Sequence, residues 1–320
     1  MGGQHIKAQV ELIQEFIIAN FVYFYPTNLS KNQFGRRKIF QQYCMAIITL
    51  TTDFGTKDHF IGAIKGKVLS NLPNVSIVDI SHNVKPFNVQ ECAYILKNAY
   101  LNFPKGSIHI IGIDAEWSPE NQHIVMEADG HFFIGANNGA ISLITSTIHT
   151  KKAIEIQLPQ VSVTAFPELE VFVPAACHIA RGGKLEVIGH PFDALRETKD
   201  FEPRIADQGK TILGNIIYID NYGNVVTNIQ KSLFEAYRNG RDFEIMARTN
   251  KITAIYDTYN GLVNFNLDKN QRKGPGDALA LFNTAGYVEL AIYKSDLHSV
   301  GGASTLLGLK YRDTITINFI

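Results

Sequence analysis

Acidic side chains at the ends of apolar runs are the residues of this sequence best placed to do chemistry. Asp53 follows the run Ile47–Thr51, and Asp58 comes five residues later, ahead of a stretch with helical spacing. Asp114 closes another run as Gly112-Ile113-Asp114. In open α/β sheets ligands bind beyond the carboxyl ends of the strands. A carboxylate there can accept two hydrogen bonds from a vicinal diol such as a ribose. The plain alternative is that Asp53 and Asp58 cap the following helix, which aspartate favours. Spacing alone leaves both readings open, and Asp114 shares the ambiguity.

A second cluster lies far along the chain, in Ile219-Asp220-Asn221-Tyr222-Gly223-Asn224-Val225. Between two apolar strands this is ordinarily a hairpin turn, with glycine supplying the positive φ. Two asparagines and an aspartate around an aromatic ring could instead read a purine edge and stack on its face. The histidines at 59, 82, 109, 123 and 131 show no HxH or HxxxH spacing, so no metal site is expected. The sequence has no GxGxxG, no GxxxxGK[ST] and no GxSxG, which removes the usual dinucleotide, P-loop and serine-hydrolase readings.

These residues need elements to hold them. Ile47–Thr51, Val75–Ile80 and Ser107–Ile113 read as strands; Phe60–Leu69 and Val89–Tyr100 have helical spacing. The unbroken apolarity of residues 107–113 predicts burial on both faces, as in a parallel sheet. Residues 46–190 thus read as an α/β domain with a central, mostly parallel sheet and flanking helices. His123–Ala128, His131–Gly135 and Ala140–Leu143 read as shorter strands forming hairpins beside it. Residues 191–210 are charged, carry Pro191 and Pro203, and read as a linker. From 211 to 320 short strands predict an all-β barrel: Thr211–Ile219, Asn224–Ile229, Phe243–Arg248, Ala278–Phe282, Tyr287–Ile292 and Thr314–Ile317.

The chain has 320 residues, 45% hydrophobic and 19% charged, with 30 basic residues against 30 acidic ones. That length suits two domains, each with its own core. Zero net charge argues against nucleic acid or an acidic membrane as partner. Cys44, Cys92 and Cys177 form neither a disulfide framework nor a thiolate metal site, and they fit a reducing, cytoplasmic setting. Leu12–Tyr25 is too short and too interrupted by Glu15 to span a bilayer, and residues 1–45 carry no signal-peptide pattern. They read as an extension before a second start at Met45, or else as an amphipathic helix; native peptides from upstream of Met45 would exclude the first.

Taken together, several motifs resemble one family. They are Thr52-Asp53-Phe54-Gly55 with Asp58, Lys65-Gly66, Asp79-Ile80-Ser81-His82 with Pro86-Phe87, Phe103-Pro104-Lys105-Gly106-Ser107, and Asn137-Asn138-Gly139. Asp220 to Ile229 and Phe282 to Ala291 extend the likeness to the second half. The pattern, covering about residues 46–320 in order, is similar to the S-adenosyl-L-methionine (SAM) hydroxide adenosyltransferases, which include SAM-dependent fluorinases and chlorinases. The resemblance implies a homotrimer with SAM, as substrate and not cofactor, held between the N-terminal domain of one copy and the C-terminal domain of the next. It implies that Asp53 grips the ribose diol, Asp58 lies near the methionine moiety, and Phe87 lines the pocket. Asp220 would hold the methionine amino group, Tyr222 would pack on the adenosine, Asn224 would read adenine, and Thr284 would meet the methionine carboxylate.

The implied reaction is displacement at the ribose C5′ with methionine leaving. In the hydrolytic members an aspartate, an arginine and a histidine position the attacking water. This chain keeps the aspartate as Asp114, but the arginine position falls on Asn121 and the histidine position on Pro167. Asp114 with Glu116 or Glu168 is the remaining candidate set to orient water. Glu168 lies where halogenases hold their halide and would repel an anion, which disfavours halide chemistry. Hydrolysis of SAM to adenosine and L-methionine is therefore the leading expectation. A SAM- or adenosine-binding protein without catalysis, or an adenosyltransferase using another nucleophile, are the alternatives.

Overall fold

A computed structural model describes residues 46–148, 151–158, 164–198 and 202–320. The expected N-terminal extension and Cys44 lie outside the described residues. The first half runs β1 (Ile47–Thr52), α1 (Phe60–Asn71), β2 (Ser76–Ser81), α2 (Val89–Tyr100), β3 (Ile108–Gly112), β4 (His123–Ala128), β5 (His131–Ala136), α3 (Ala140–Ile144), β6 (Lys151–Ile156), α4 (Val173–Ala180) and β7 (Gly189–Pro191). A π-helical turn, Glu168–Phe172, leads directly into α4.

These strands form one sheet in the order β2-β1-β3-β5-β4-β6-β7. Parallel ladders join β2, β1, β3 and β5, while β4, β6 and β7 add to the other side antiparallel. Every residue of β3 is buried, as its unbroken apolarity requires. On one face pack Ile64 and Val68 of α1 with Phe172, Ala176 and Ile179 of the α4 region. On the other pack Cys92 and Leu96 of α2 with Leu143 and Ile144 of α3. Asn88 caps α2 reciprocally: Glu91 N–H donates to its Oδ1 and its Nδ2 donates to Glu91 Oε2.

One expectation fails here. Residues 140–144 are a short helix and not a strand. Asn138 turns the chain, its Oδ1 accepting Ala140 N–H at 3.0 Å and its Nδ2 donating to Ile113 O at 2.7 Å. Gly139, with φ of 99°, completes the turn.

The second half comprises β8 (Arg204–Ala206), β9 (Thr211–Ile219), β10 (Val225–Gln230), α5 (Lys231–Arg238), β11 (Phe243–Ala247), β12 (Asn250–Ile252), β13 (Ile255–Tyr256), β14 (Ala278–Phe282), β15 (Tyr287–Ile292), α6 (Ala303–Leu306) and β16 (Thr314–Phe319). It is a curled, nine-stranded, mostly antiparallel sheet in the order β12-β11-β16-β9-β10-β15-β14-β13, with β8 pairing β9. The curl is a half-barrel around a core that includes Ile216, Leu290 and Ile317. Phe234 of α5 is fully buried and meets Phe243 edge-on with centroids 5.1 Å apart.

Residues 46–320 form a single unit. The segment after β7 is pinned to the first sheet: Asn137 Nδ2 donates to Ala194 O and Arg196 N–H donates to Asn137 Oδ1. Tyr94 of α2 stacks against Tyr218 of β9 with centroids 4.8 Å apart, and Asn283 Nδ2 donates to the Tyr94 hydroxyl.

Candidate active site

The carboxyl ends of β1 and β3 bring Asp53, Asp114 and Glu168 into one neighbourhood. Asp53 follows β1, and its Oδ2 accepts the backbone N–H of Phe87 at 2.9 Å. The helix-cap alternative is thereby overturned for Asp53. It also fails for Asp58: α1 is capped at His59 with no side-chain hydrogen bond, and Asp58 is exposed. Burial raises the Asp53 carboxyl above its ordinary range, opposed by the Phe87 N–H, and the nearby charge of Asp114 adds to the rise.

Phe87 itself has φ of 61°, a costly conformation for a bulky side chain, and its ring is 73% exposed. Strain of this kind persists where surrounding structure enforces it and clusters at functional sites. Here the Asp53 bond is the enforcement, and an apolar ring is held out to solvent.

Asp114 also takes a positive φ, 44°, which aspartate tolerates. Its carbonyl accepts from Asn121 Nδ2 at 2.9 Å, and the same amide donates to Glu116 O at 2.9 Å. Asn121, standing where the resemblance places an arginine, is therefore a brace for the 114–121 loop. Its Oδ1 is buried without a hydrogen-bond partner. Glu116 is exposed on that loop.

Glu168 opens the π-helical turn and is 4% exposed. Pro174 has no N–H to give to the helix ladder, and a widened turn is where such a gap is absorbed. The Glu168 side chain lies over Gly112: a Cβ there would sit 2.9 Å from Glu168 Cγ and 3.1 Å from Thr52 Cγ2. Burial pushes the Glu168 carboxyl up to about 7, and the charge of Asp53 contributes in the same direction. Among the described residues, none of Asp53, Asp114 and Glu168 takes part in an ion pair.

Behind them runs a chain the sequence reading did not extract. Thr52 Oγ1 and His82 Nδ1 share a hydrogen bond of 2.9 Å, and His82 Nε2 lies 3.1 Å from Asp79 Oδ1. Asp79 also pairs with Lys65, and this partnership holds its carboxyl below the usual range despite partial burial. The signal is present in Asp79-Ile80-Ser81-His82 as an acid and an imidazole three residues apart.

The other predicted residues lie on the half-barrel. Asp220 organises the β9–β10 turn: Oδ1 accepts the N–H groups of Tyr222 at 2.8 Å and Asn224 at 2.9 Å, and Oδ2 accepts Asn224 Nδ2 at 2.9 Å. Asn224 is 5% exposed, while Tyr222 stands 64% exposed beside Gly223, whose φ is 79°. Thr284 is exposed in the β14–β15 turn, shaped by Asn283 Oδ1 accepting from Ala285 and Tyr287 N–H groups. Glu289, which sequence reading passed over, is 4% exposed, accepts the Tyr259 hydroxyl at 2.6 Å, and is raised mainly by burial, with Asp220 contributing. A charged residue inside the apolar run of β15 was the available signal. Among the described residues, no hydrogen bond or ion pair joins Asp220, Tyr222, Asn224 or Thr284 to Asp53, Phe87, Asp114 or Glu168.

No group of histidine, cysteine and acidic side chains that could hold a metal occurs among the described residues, and none of their helices is long and apolar enough to cross a membrane. Cys92 and Cys177 are buried and free.

Two sequence-family matches cover the two halves of the chain. Residues 48–189 match the SAM hydroxide adenosyltransferase N-terminal domain, and residues 214–316 match the C-terminal domain of the same family. The chain belongs to the SAM hydroxide adenosyltransferase family. It is 29% identical over 279 residues, covering 85% of this chain and 95% of the relative, to a Methanocaldococcus jannaschii protein named (R)-S-adenosyl-L-methionine hydrolase. A Nocardia brasiliensis fluorinase is 26% identical over 77% of this chain and 89% of its own length. An uncharacterized conserved protein from Thermotoga maritima, solved by crystallography, superposes with a TM-score of 0.70 at 25% identity, over 85% of this chain and 99% of that one.

Proposed function

We propose that this chain is a cytoplasmic SAM hydrolase that forms adenosine and L-methionine by attack of water at the ribose C5′. The observation that carries the reading is the group of carboxylates Asp53, Asp114 and Glu168, free of ion pairs among the described residues, at the strand ends of a chain belonging to this family. Such a group favours a cationic, diol-bearing ligand, and SAM is one.

In this reading Asp53 takes the ribose hydroxyls, and its bond to Phe87 N–H sets the aromatic wall beside them. Asp58 serves the methionine moiety. Asp220 spends three acceptor sites on its own turn, which leaves a carboxylate one site for the methionine ammonium. Tyr222 offers its exposed ring to the adenosine, Asn224 reads adenine, and Thr284 meets the methionine carboxylate. The two groups belong to different halves of the chain, and a homotrimer would bring one copy's Asp53 group to the next copy's Asp220 turn.

The carboxylates stabilise the sulfonium in the bound substrate more than in the transition state, where the positive charge disperses. They contribute binding, and rate must come from holding a desolvated water in line behind C5′. The leaving group departs as a neutral thioether and needs no proton.

Asn121 braces a loop and Pro167 has no side-chain proton to offer, which favours, as the second reading, a SAM-binding protein without turnover. Incubation with SAM followed by chromatography decides between them: adenosine and methionine are expected in equal amounts. The Asp53→Ala variant is expected to bind SAM at least 100-fold more weakly by calorimetry; unchanged affinity would remove the ribose from this place.

A further inference from the structure

The strand ends hold one titratable group that the hydrolytic family pattern does not supply. We propose that Glu168 is the base of the reaction, its carboxylate taking the proton from the water that attacks C5′. The inference rests on the hydrolase reading above and deepens it.

Position is the first argument. The absence of a Cβ at Gly112 lets the Glu168 side chain cross the end of β3; an added methyl would lie 3.2 Å from its Oε1. That site adjoins Thr52, the residue before Asp53, and precedes Asp114 by two residues. A glutamate in a π-turn at the carboxyl edge of the sheet, within the field of the group that would hold the ribose, stands next to where this reading puts the sugar. π-turns of this kind occur frequently at functional sites.

Electrical isolation is the second. Among the described residues, Asp53 is the charged group whose field reaches Glu168. The elements packed against the π-turn carry Lys65 and the exposed Lys67 on α1, His109 on β3, His131 on β5, and Cys177 and His178 on α4, where His178 Nε2 is hydrogen-bonded to Lys184 O. Lys65 is paired with Asp79, and His109 is hydrogen-bonded to Thr49 and His131. With no cation beside it, the carboxyl titrates near 7, close to the value at which a general base works best at neutral pH. The competing carboxylate, Glu116, is exposed on the loop that Asn121 braces.

The step balances without a co-reactant. The water oxygen forms the C5′–O bond as the C5′–S bond breaks, and that electron pair stays on sulfur as the thioether of methionine. The water proton passes to Glu168 and leaves to solvent afterwards. A sulfonium arriving nearby favours the ionised carboxylate. Binding of SAM therefore converts Glu168 to its basic form and releases a proton.

That release separates a base from a merely buried glutamate. Calorimetry of SAM binding at pH 6.5, in two buffers of different ionisation enthalpy, is expected to show a fractional proton leaving the wild-type protein. Glu168→Gln is expected to bind SAM within about threefold, which also shows that it folds, and to release none. Its turnover is expected to fall by 100-fold or more, and the rise of wild-type kcat/KM through about pH 7 is expected to flatten. A Glu168→Gln protein that turns over within twofold of wild type, or that still releases the proton, overturns the assignment of the base while leaving the hydrolase reading intact. A wild-type protein that binds SAM and leaves it whole overturns the hydrolase reading, and the base with it.

Discussion

Gly112 and Glu168 are a matched pair, and neither shows its role in the sequence. The glycine is needed for space: a methyl at 112 would crowd the glutamate's Cγ and the threonine's Cγ2 at once. Both neighbours are buried, so the strain has no flexible side-chain end to absorb it. Gly112→Ala is expected to lower unfolding free energy by about 1–3 kcal/mol and to reduce hydrolysis with it. Gly62→Ala, whose added methyl meets nothing within 4 Å on helix α1, is expected to raise stability slightly. Denaturant midpoints of the two variants make the comparison. Asp53 was legible at this scale because a carboxylate ending an apolar strand has few purposes. Asn121 was legible only as a departure; its service to two carbonyls depends on how the loop folds back. Glu168 was legible as a candidate, and its selection over Glu116 came from burial, which spacing does not encode.

At the scale of elements, the buried face of the first sheet carries a histidine pair. His109 Nδ1 shares a 2.7 Å hydrogen bond with Thr49 Oγ1, and its Nε2 lies 3.2 Å from His131 Nδ1. Burial drives His109 down to about 3, and burial lowers His131 as well. Between pH 6.5 and about 3 the unfolded chain therefore binds a proton at His109 that the folded one does not, and His131 acts in the same direction. Their stabilising contribution is complete above pH 6.5 and is lost as pH falls through that window, at about 1.4 kcal/mol per pH unit for each proton. Buried acids such as Glu168 slope the other way, so the contrast of interest is between proteins. Urea unfolding at pH 7 and pH 5 is expected to show a smaller loss of stability in His109→Gln than in the wild type. The helices α1 and α2 and most strands were legible because their apolar spacing survives in isolation. Helix α3 was not: Ala140 to Leu143 is too short to show a period, and the turn leading into it is fixed by Asn138, whose amide also reaches 25 residues upstream to Ile113. Helix α5 escaped notice because a single residue, Phe234, is buried along it.

For the whole molecule, the proposed site is divided between the two halves of the chain, with Phe87 and Tyr222 displayed as exposed aromatic rings. If neighbouring copies complete each other's sites in a ring of three, two defective variants should repair one another. Asp53→Ala and Asp220→Asn, each inactive alone, are expected to recover about a quarter of wild-type activity when refolded together, since one interface in four then pairs two intact halves. Light scattering is expected to give the mass of three chains for every protein used. No recovery in mixed trimers would place the whole site within one copy.

The brace at Asn121 has a mechanical consequence. Its amide holds two carbonyls at once, so the shape of the 114–121 loop depends on this one side chain. Asn121→Arg is expected to give up both hydrogen bonds and to lower the urea midpoint of the protein. The loop therefore works as a clasp: one amide pins the backbone at 114 and 116 together, so the place where Asp114 stands is set by a side chain that need touch no ligand.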